Sequence, residues 1–192
     1  MIAFVEFDYI FDNDWQVKVS YNYRGYEEQD KLFYAYGAID KDTGLGLVGW
    51  PGRYDSDIDS NLIEARTFGT FELFGRQHEV NVGVSHASSS DHMYQYGFDY
   101  ANTPAYGATP AFPYAFDAIA EPDWFDAVLY SDIEQDLTRY FGSTKISLTD
   151  ELFVIAGFNA IDFERSGNNA GTTIDNGESE ASPYIGATYA VT

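Results

Sequence analysis

Strict two-residue alternation on either side of very short turns is the feature that most constrains this chain. Trp15, Val17, Val19, Tyr21 and Tyr23 are apolar or aromatic, whereas Gln16, Lys18, Ser20, Asn22 and Arg24 between them are polar. Upstream, Ala3, Val5, Phe7, Tyr9 and Phe11 share one parity, and only Asp12-Asn13-Asp14 separates the two runs. Side chains on a strand point alternately to two faces, so each run predicts a strand with one apolar and one polar side. So short a break makes the two strands an antiparallel hairpin. Further tight turns fall at Phe74-Gly75-Arg76-Gln77 and Leu148-Thr149-Asp150-Glu151.

Helical periodicity is weak throughout, and the pattern predicts seven strands, at about 2–11, 15–26, 60–74, 77–87, 135–148, 152–165 and 181–191. In the third, Ile63, Ala65, Thr67, Gly69, Phe71 and Leu73 oppose Glu64, Arg66, Thr70 and Glu72, with Phe68 and Phe74 as exceptions. In the fourth, Val80, Val82 and Val84 oppose Glu79, Asn81 and Ser85. In the fifth, Tyr140, Gly142, Thr144, Ile146 and Leu148 oppose Arg139, Ser143, Lys145 and Ser147, with Phe141 as the exception. The sixth, whose second face is less polar, is assigned more by its neighbours than by alternation. Strands of about ten residues exceed the usual five or six of soluble sheets. They suit a tilted bilayer crossing of about 9–11 residues. Small residues on the apolar faces, such as Gly69, Gly142 and Ala187, are tolerable against lipid.

The connections fall into two populations. Those at 12–14, 75–77 and 149–151 are tight, and those at 27–59, 88–134 and 166–180 are long. Residues 27–60, 87–136 and 165–180 hold 20 acidic and 4 basic residues, −16 of the net −21. They also hold 16 of the 34 aromatic residues, too many for disorder in the first two, which are expected to fold over one another or over a ligand. Short turns at one end and long connections at the other are the layout of an all-β, antiparallel up-and-down transmembrane β-barrel.

The net charge of −21 argues against nucleic-acid binding and against electrostatic docking on an anionic membrane surface. With no cysteine, disulfides and thiolate-ligated metals are excluded. No run of about 18 apolar residues is present, which argues against a transmembrane helix. The N-terminus lacks the basic region and apolar run of a secretory signal.

The stretch Gly69-Thr-Phe-Glu-Leu-Phe-Gly-Arg-Gln-His-Glu-Val-Asn-Val-Gly-Val-Ser85 resembles a hairpin of TonB-dependent outer-membrane siderophore receptors. So does Tyr140-Phe-Gly-Ser-Thr-Lys-Ile-Ser-Leu-Thr-Asp-Glu-Leu-Phe-Val-Ile-Ala-Gly157, with its Leu-Thr-Asp turn, although Asn159 stands where the family has arginine. The Asp14-Trp15 hairpin and Ser182-Pro-Tyr-Ile-Gly-Ala-Thr-Tyr189 are similar to two more family segments. The likeness is greatest to the branch for ferric hydroxamate and pyoverdine-type siderophores. It covers most of the strands and leaves the long connections unmatched. It implies a 22-stranded barrel plugged from within, driven by the TonB complex, importing a ferric siderophore without an enzymatic step. Residues 1–192 then read as an internal barrel fragment, about seven strands, with no plug domain, no TonB-contacting box and no closing aromatic C-terminus. The implied partners are the ferric-siderophore ligand, the protein's own plug domain, the TonB complex and outer-membrane lipid.

On that reading Lys18, Arg24, Glu64, Arg66, Glu72, Glu79 and Lys145 line the lumen, and the ligand-binding candidates are Tyr34, Tyr36, Trp50, Tyr54, Tyr94, Tyr96 and Trp124. Aromatic side chains offer flat contact area with a polar tip. Their alternative role is to pack the connections or to form an outer aromatic girdle. His78, His86 and His92 lack the spacing of a local metal site and read as solvated or lumen residues. Asp40-Lys-Asp-Thr-Gly44 and Asp55-Ser-Asp-Ile-Asp59 echo calcium loops but lack the closing glutamate, so they read as turns. No cofactor, metal or catalytic site is expected, since no nucleophile elbow, phosphate loop or zinc motif occurs. Two other readings stay open on the residues alone: a smaller porin-like channel, and a secreted acidic β-sandwich that binds glycans.

Overall fold

The computed structural model describes residues 1–115 and 117–191. One antiparallel sheet runs in the order β1 (Ile2–Ile10), β2 (Gln16–Gly37), β3 (Leu47–Leu73), β4 (Arg76–Phe98), β6 (Trp124–Ser147), β7 (Leu152–Asn169), β8 (Thr172–Tyr189). The two-residue β5 (Gly107–Ala108) lies off this path and pairs with Val48 and Gly49 of β3. Apart from β5, every strand pairs with its predecessor in the up-and-down path, and the sheet does not close on itself. No second sheet covers either face among the described residues, so the sandwich arrangement is not seen.

The seven predicted strands are present, and most are far longer than the alternation indicated. β2, β3, β4 and β6 have 22, 27, 23 and 24 residues. Most of 27–59, 88–134 and 166–180, expected to be long folded connections, is therefore strand. What remains between strands among the described residues is 38–46, 99–115 (interrupted by β5), 117–123 and the two residues Ala170-Gly171, whose φ values of 53° and 79° make a tight hairpin. The physical reason is that the apolar–polar contrast ends before the strands do. Ladder hydrogen bonds continue through segments that are polar on both faces.

The register puts the alternating residues on two continuous faces. Val19 lies opposite Phe7 and Ala65; Ala65 lies opposite Val84, Val84 opposite Tyr140, and Tyr140 opposite Ala160. Outer-parity positions over Trp15–Tyr23, Ile63–Phe71, Tyr140–Leu148 and Leu152–Ala160 carry no charge, nine residues in each strand. Beyond that band the same face turns acidic, with Asp55, Asp57, Asp59, Asp132, Glu134, Asp136, Asp162 and Glu164. Asp55–Asp59 is thus strand rather than turn. Asp40 does make a turn, its Oδ1 accepting from the Asp42 and Thr43 amides and the Thr43 hydroxyl.

The opposite face is polar and holds Lys18, Arg24, Glu64, Arg66, Glu72, Glu79 and Lys145 together. Lys18 pairs with Glu6 at 2.7 Å and Lys145 with Glu79 at 2.8 Å. Phe141, the exception to alternation, lies on this face because its ring covers Gly83 on the neighbouring strand. The apolar-face glycines are likewise covered: Gly69 lies under the Trp15 indole and Gly142 under Phe158. Their smallness therefore serves aromatic packing across strands rather than simple contact with lipid.

Candidate functional site

The open end of the sheet, beyond the acidic belt, gathers aromatic side chains from four segments. On β2 and β3, Tyr34 lies opposite Trp50 and Asp30 opposite Tyr54. Tyr34 and Tyr54 flank Gly52, where a Cβ would stand 3.2 Å and 2.8 Å from their rings. Glycine at that position lets the two phenols close over the backbone. Burial first, and the neighbouring Tyr34 phenol second, push the Tyr54 hydroxyl above its ordinary pKa, with Tyr130 and Tyr100 adding to the effect. By register and parity Tyr34, Tyr36, Trp50 and Tyr54 all belong to the polar face.

Trp50 is the hub. Its ring meets Tyr106 at 5.1 Å, Tyr100 at 5.8 Å and Phe98 at 6.5 Å, all edge-on. Phe98 in turn meets Tyr100 at 4.5 Å, Tyr106 at 5.9 Å and Trp124 at 5.7 Å. Phe98 and Ala105 are both buried, on a sheet whose large apolar side chains are mostly exposed, so this nest is the nearest thing to a core that the sheet possesses. β5 holds the Tyr100–Tyr106 segment against the edge of β3. Trp124 donates its indole N–H to Glu121 at 2.8 Å, and Lys31 pairs with the same carboxylate at 2.8 Å. Those two bonds, Lys31 first, hold the Glu121 carboxyl below its usual range.

Tyr94 and Tyr96 lie apart from this group. Their parity is that of the acidic face, opposite Asp55 and the Leu129–Ala127 segment. Tyr96 donates to Asp55 at 2.6 Å and lies 4.0 Å beneath the Arg53 guanidinium. The Asp55 bond, ahead of burial, pushes its phenol up. Five of the seven sequence candidates therefore reach or adjoin the nest and two do not. Sequence reasoning missed Phe98, Tyr100 and Tyr106. The signal available was the spacing of aromatics around Pro104, but their meeting with Trp50 depends on β5, which has no sequence signature.

The three histidines are distributed differently from expectation. His78 is buried on the apolar-parity face at the tight-turn end, neither solvated nor on the polar side. His86 contacts Asp136 and Thr138. The His92 ring sits between Asp57 and Asp132, at 3.3 Å and 3.2 Å from its two nitrogens. Carboxylates facing opposite nitrogens of one ring clasp it between two strands and do not form a metal site, because ligands to one metal must converge on a single point. No group of three or more such side chains suited to a metal occurs among the described residues. What the nest offers chemically is a set of flat faces with phenol tips, suited to contact and hydrogen bonding rather than to bond-making.

A family described as "TonB dependent receptor-like, beta-barrel" matches residues 2–192. The chain is similar to the ferripyoverdine receptor of Pseudomonas aeruginosa, 29% identical over 203 residues, covering 97% of this chain and 22% of that protein. It is also similar to the ferric-pyoverdine BN7/BN8 receptor of Pseudomonas putida, 26% identical over 156 residues, covering 80% of this chain and 19% of that protein. The solved pyoverdine outer membrane receptor FpvA of Pseudomonas aeruginosa PAO1, bound to pyoverdine, superimposes with a TM-score of 0.80 at 26% identity. That match covers 98% of this chain and 26% of the receptor. The chain spans about a fifth of the length of the curated relatives it matches.

Proposed function

Because the chain belongs to the TonB dependent receptor-like β-barrel family, we propose that it forms part of the wall of an outer-membrane receptor that imports a ferric siderophore of the pyoverdine type. The role is transport, with no enzymatic step. The uncharged nine-residue band faces lipid, at a length that suits a tilted crossing. The polar face lines a lumen of a 22-stranded barrel and meets the protein's own plug domain, while the TonB complex supplies the driving force. The turns at 12–14, 75–77 and 149–151 then lie on the periplasmic side, and the aromatic nest, like the Ala170-Gly171 hairpin, outside the cell.

The observation that carries this reading is the placement of the nest on the polar face, at the end opposite the turns at 12–14, 75–77 and 149–151. We assign cargo contact to Tyr34, Tyr36, Trp50 and Tyr54, with Trp124 supporting them through Phe98. Tyr94 and Tyr96 belong to the outer wall. In the full-length receptor, Trp50→Ala is expected to weaken binding of a ferric pyoverdine-type siderophore roughly 10- to 100-fold, as loss of a central aromatic anchor does. Tyr96→Ala is expected to leave it within about threefold. Equal effects of the two substitutions would remove the site assignment. Failure of the unmodified receptor to bind or import any such siderophore would remove the cargo reading.

A further inference from the structure

With 31 acidic side chains against 10 basic ones, this chain offers every cation a choice of partners. Lys18, Lys31, Arg76 and Lys145 take one, at 2.7 or 2.8 Å from Glu6, Glu121, Asp150 and Glu79. Arg24, Arg139 and Arg165 have no carboxylate at ion-pair distance among the described residues, and Arg66 reaches only Glu64 of its own strand, at 4.0 Å. Arg66 and Arg165 each keep an Nε–H without an acceptor, so the sheet does not complete their bonding. All four arginines lie on the polar face. Arg24 and Arg165 end one row across five strands, Arg24–Ser60–Ser89–Gln135–Arg165. Two residues nearer the turns at 75–77 and 149–151, the same face carries Leu62, Ala87, Leu137 and Phe163 side by side. Arg139 lies in the next row, between Ser85 and Ile161, and Arg66 in the row after that, opposite Lys18 and Gly83.

An apolar row on an otherwise polar face is thus framed by arginines on both sides. At about 4.8 Å between neighbouring strands, Arg24 and Arg165 stand roughly 19 Å apart along the sheet, and Arg66 and Arg139 roughly 10 Å. Over these four rows from β2 to β7, Glu64 is the only carboxylate, so the patch is positive on a strongly acidic chain. Leu62 and Leu137 are 38% and 37% exposed. Water alone would solvate the arginines but leave the leucines and Phe163 uncovered, and a small anion would need no apolar row. A packed protein surface, apolar at its centre and charged at its rim, satisfies both. The guanidinium fork selects carboxylates for that rim. Taking residues 1–192 as the wall of a plugged barrel, as proposed above, we infer that this patch seats the plug domain. An apolar side chain of the plug lies between Leu62 and Leu137, and plug carboxylates close on Arg24 and Arg165 to one side of it and on Arg66 and Arg139 to the other.

Arg24→Lys and Arg165→Lys keep the charge and supply amines. In the full-length receptor carrying both, a water-soluble carbodiimide is expected to join these lysines to aspartate or glutamate side chains of the plug, read as cross-linked peptides by mass spectrometry. Links confined to carboxylates within residues 1–192, or no links, overturn the proposal. Amide exchange of the full-length receptor tests the apolar row. Leu62→Ser with Leu137→Ser is expected to lower the protection of plug peptides roughly tenfold, as loss of an interface anchor does, while peptides of β3 and β6 keep theirs. Unchanged plug protection overturns the proposal; should the serine variant lose wall protection as well, the charge-conserving lysine variant decides. Binding of a ferric pyoverdine-type siderophore, measured on the same preparations, separates the two readings. Failure of the unmodified receptor to bind it faults the cargo assignment and leaves the cross-links to decide the seat. Lost siderophore binding in the lysine variant, without cross-links to the plug, gives the arginines to the cargo and overturns the seat.

Discussion

Gly157 and Tyr184 face each other across β7 and β8, on the polar face, and the tyrosine ring lies over the glycine. A Cβ at Gly157 would meet that ring and would stand 2.6 Å from the Gly142 carbonyl oxygen, which is backbone and cannot swing aside. Gly186, one strand away, would meet nothing within 4 Å. Gly157→Ala is therefore expected to destabilise the folded receptor by about 1–3 kcal/mol, the usual cost of overpacking. Gly186→Ala should stay within about 0.5 kcal/mol. Denaturant unfolding of the receptor in detergent checks the pair, and equal stabilities would show that the glycine–aromatic contact is not held. At this scale the sequence was only partly legible. Alternation from Trp15 to Tyr23 could be read because one set of side chains is apolar and the other polar. That Phe141 breaks parity to cover Gly83 could not be read, since cross-strand neighbours depend on register.

The same limit explains the strands. Where the outer face changes from Ile63 to Asp59 and Asp57, both sides of β3 become polar and the period-2 signal disappears, although pairing with β2 and β4 continues. Residues 27–59 and 88–134 thus looked like connections. The same blindness hid the sides taken by the site candidates. Counting parity from Val84 to Tyr94 requires knowing that the strand never stops, and the register shift on β6 near Tyr94 leaves no mark in composition. If the strands are as long as described, hydrogen exchange should be slow at 27–36, 48–60 and 88–96 and fast at 38–46 and 109–115. Rapid exchange throughout 27–59 would restore the loop reading. Backbone ladders protect amides whatever side chains they carry, so the measurement does not depend on the aromatic nest.

For the molecule as a whole, β1 has β2 as its only described neighbour and β8 has β7. Both edges present unpaired backbone groups, and Val5, Phe7, Tyr9, Ile185 and Tyr189 are each at least half exposed. A sheet with two free edges and an uncovered apolar band is prone to associate in water. Residues 1–192 produced alone should therefore aggregate without detergent. A monodisperse, detergent-free monomer in sedimentation would contradict the reading of this sheet as membrane wall. The length of β3 carries a further consequence. Trp50 lies 13 residues beyond Ile63, where the uncharged outer band of that strand ends. At roughly 3.3 Å per residue and a tilt of about 45°, that is roughly 30 Å of height. On the proposed reading, a cargo held at Trp50 meets the receptor well before it meets the bilayer, at a height greater than the apolar band's own roughly 25 Å. Arrival and passage are then separate journeys, and a substitution that slows the second need not touch the first.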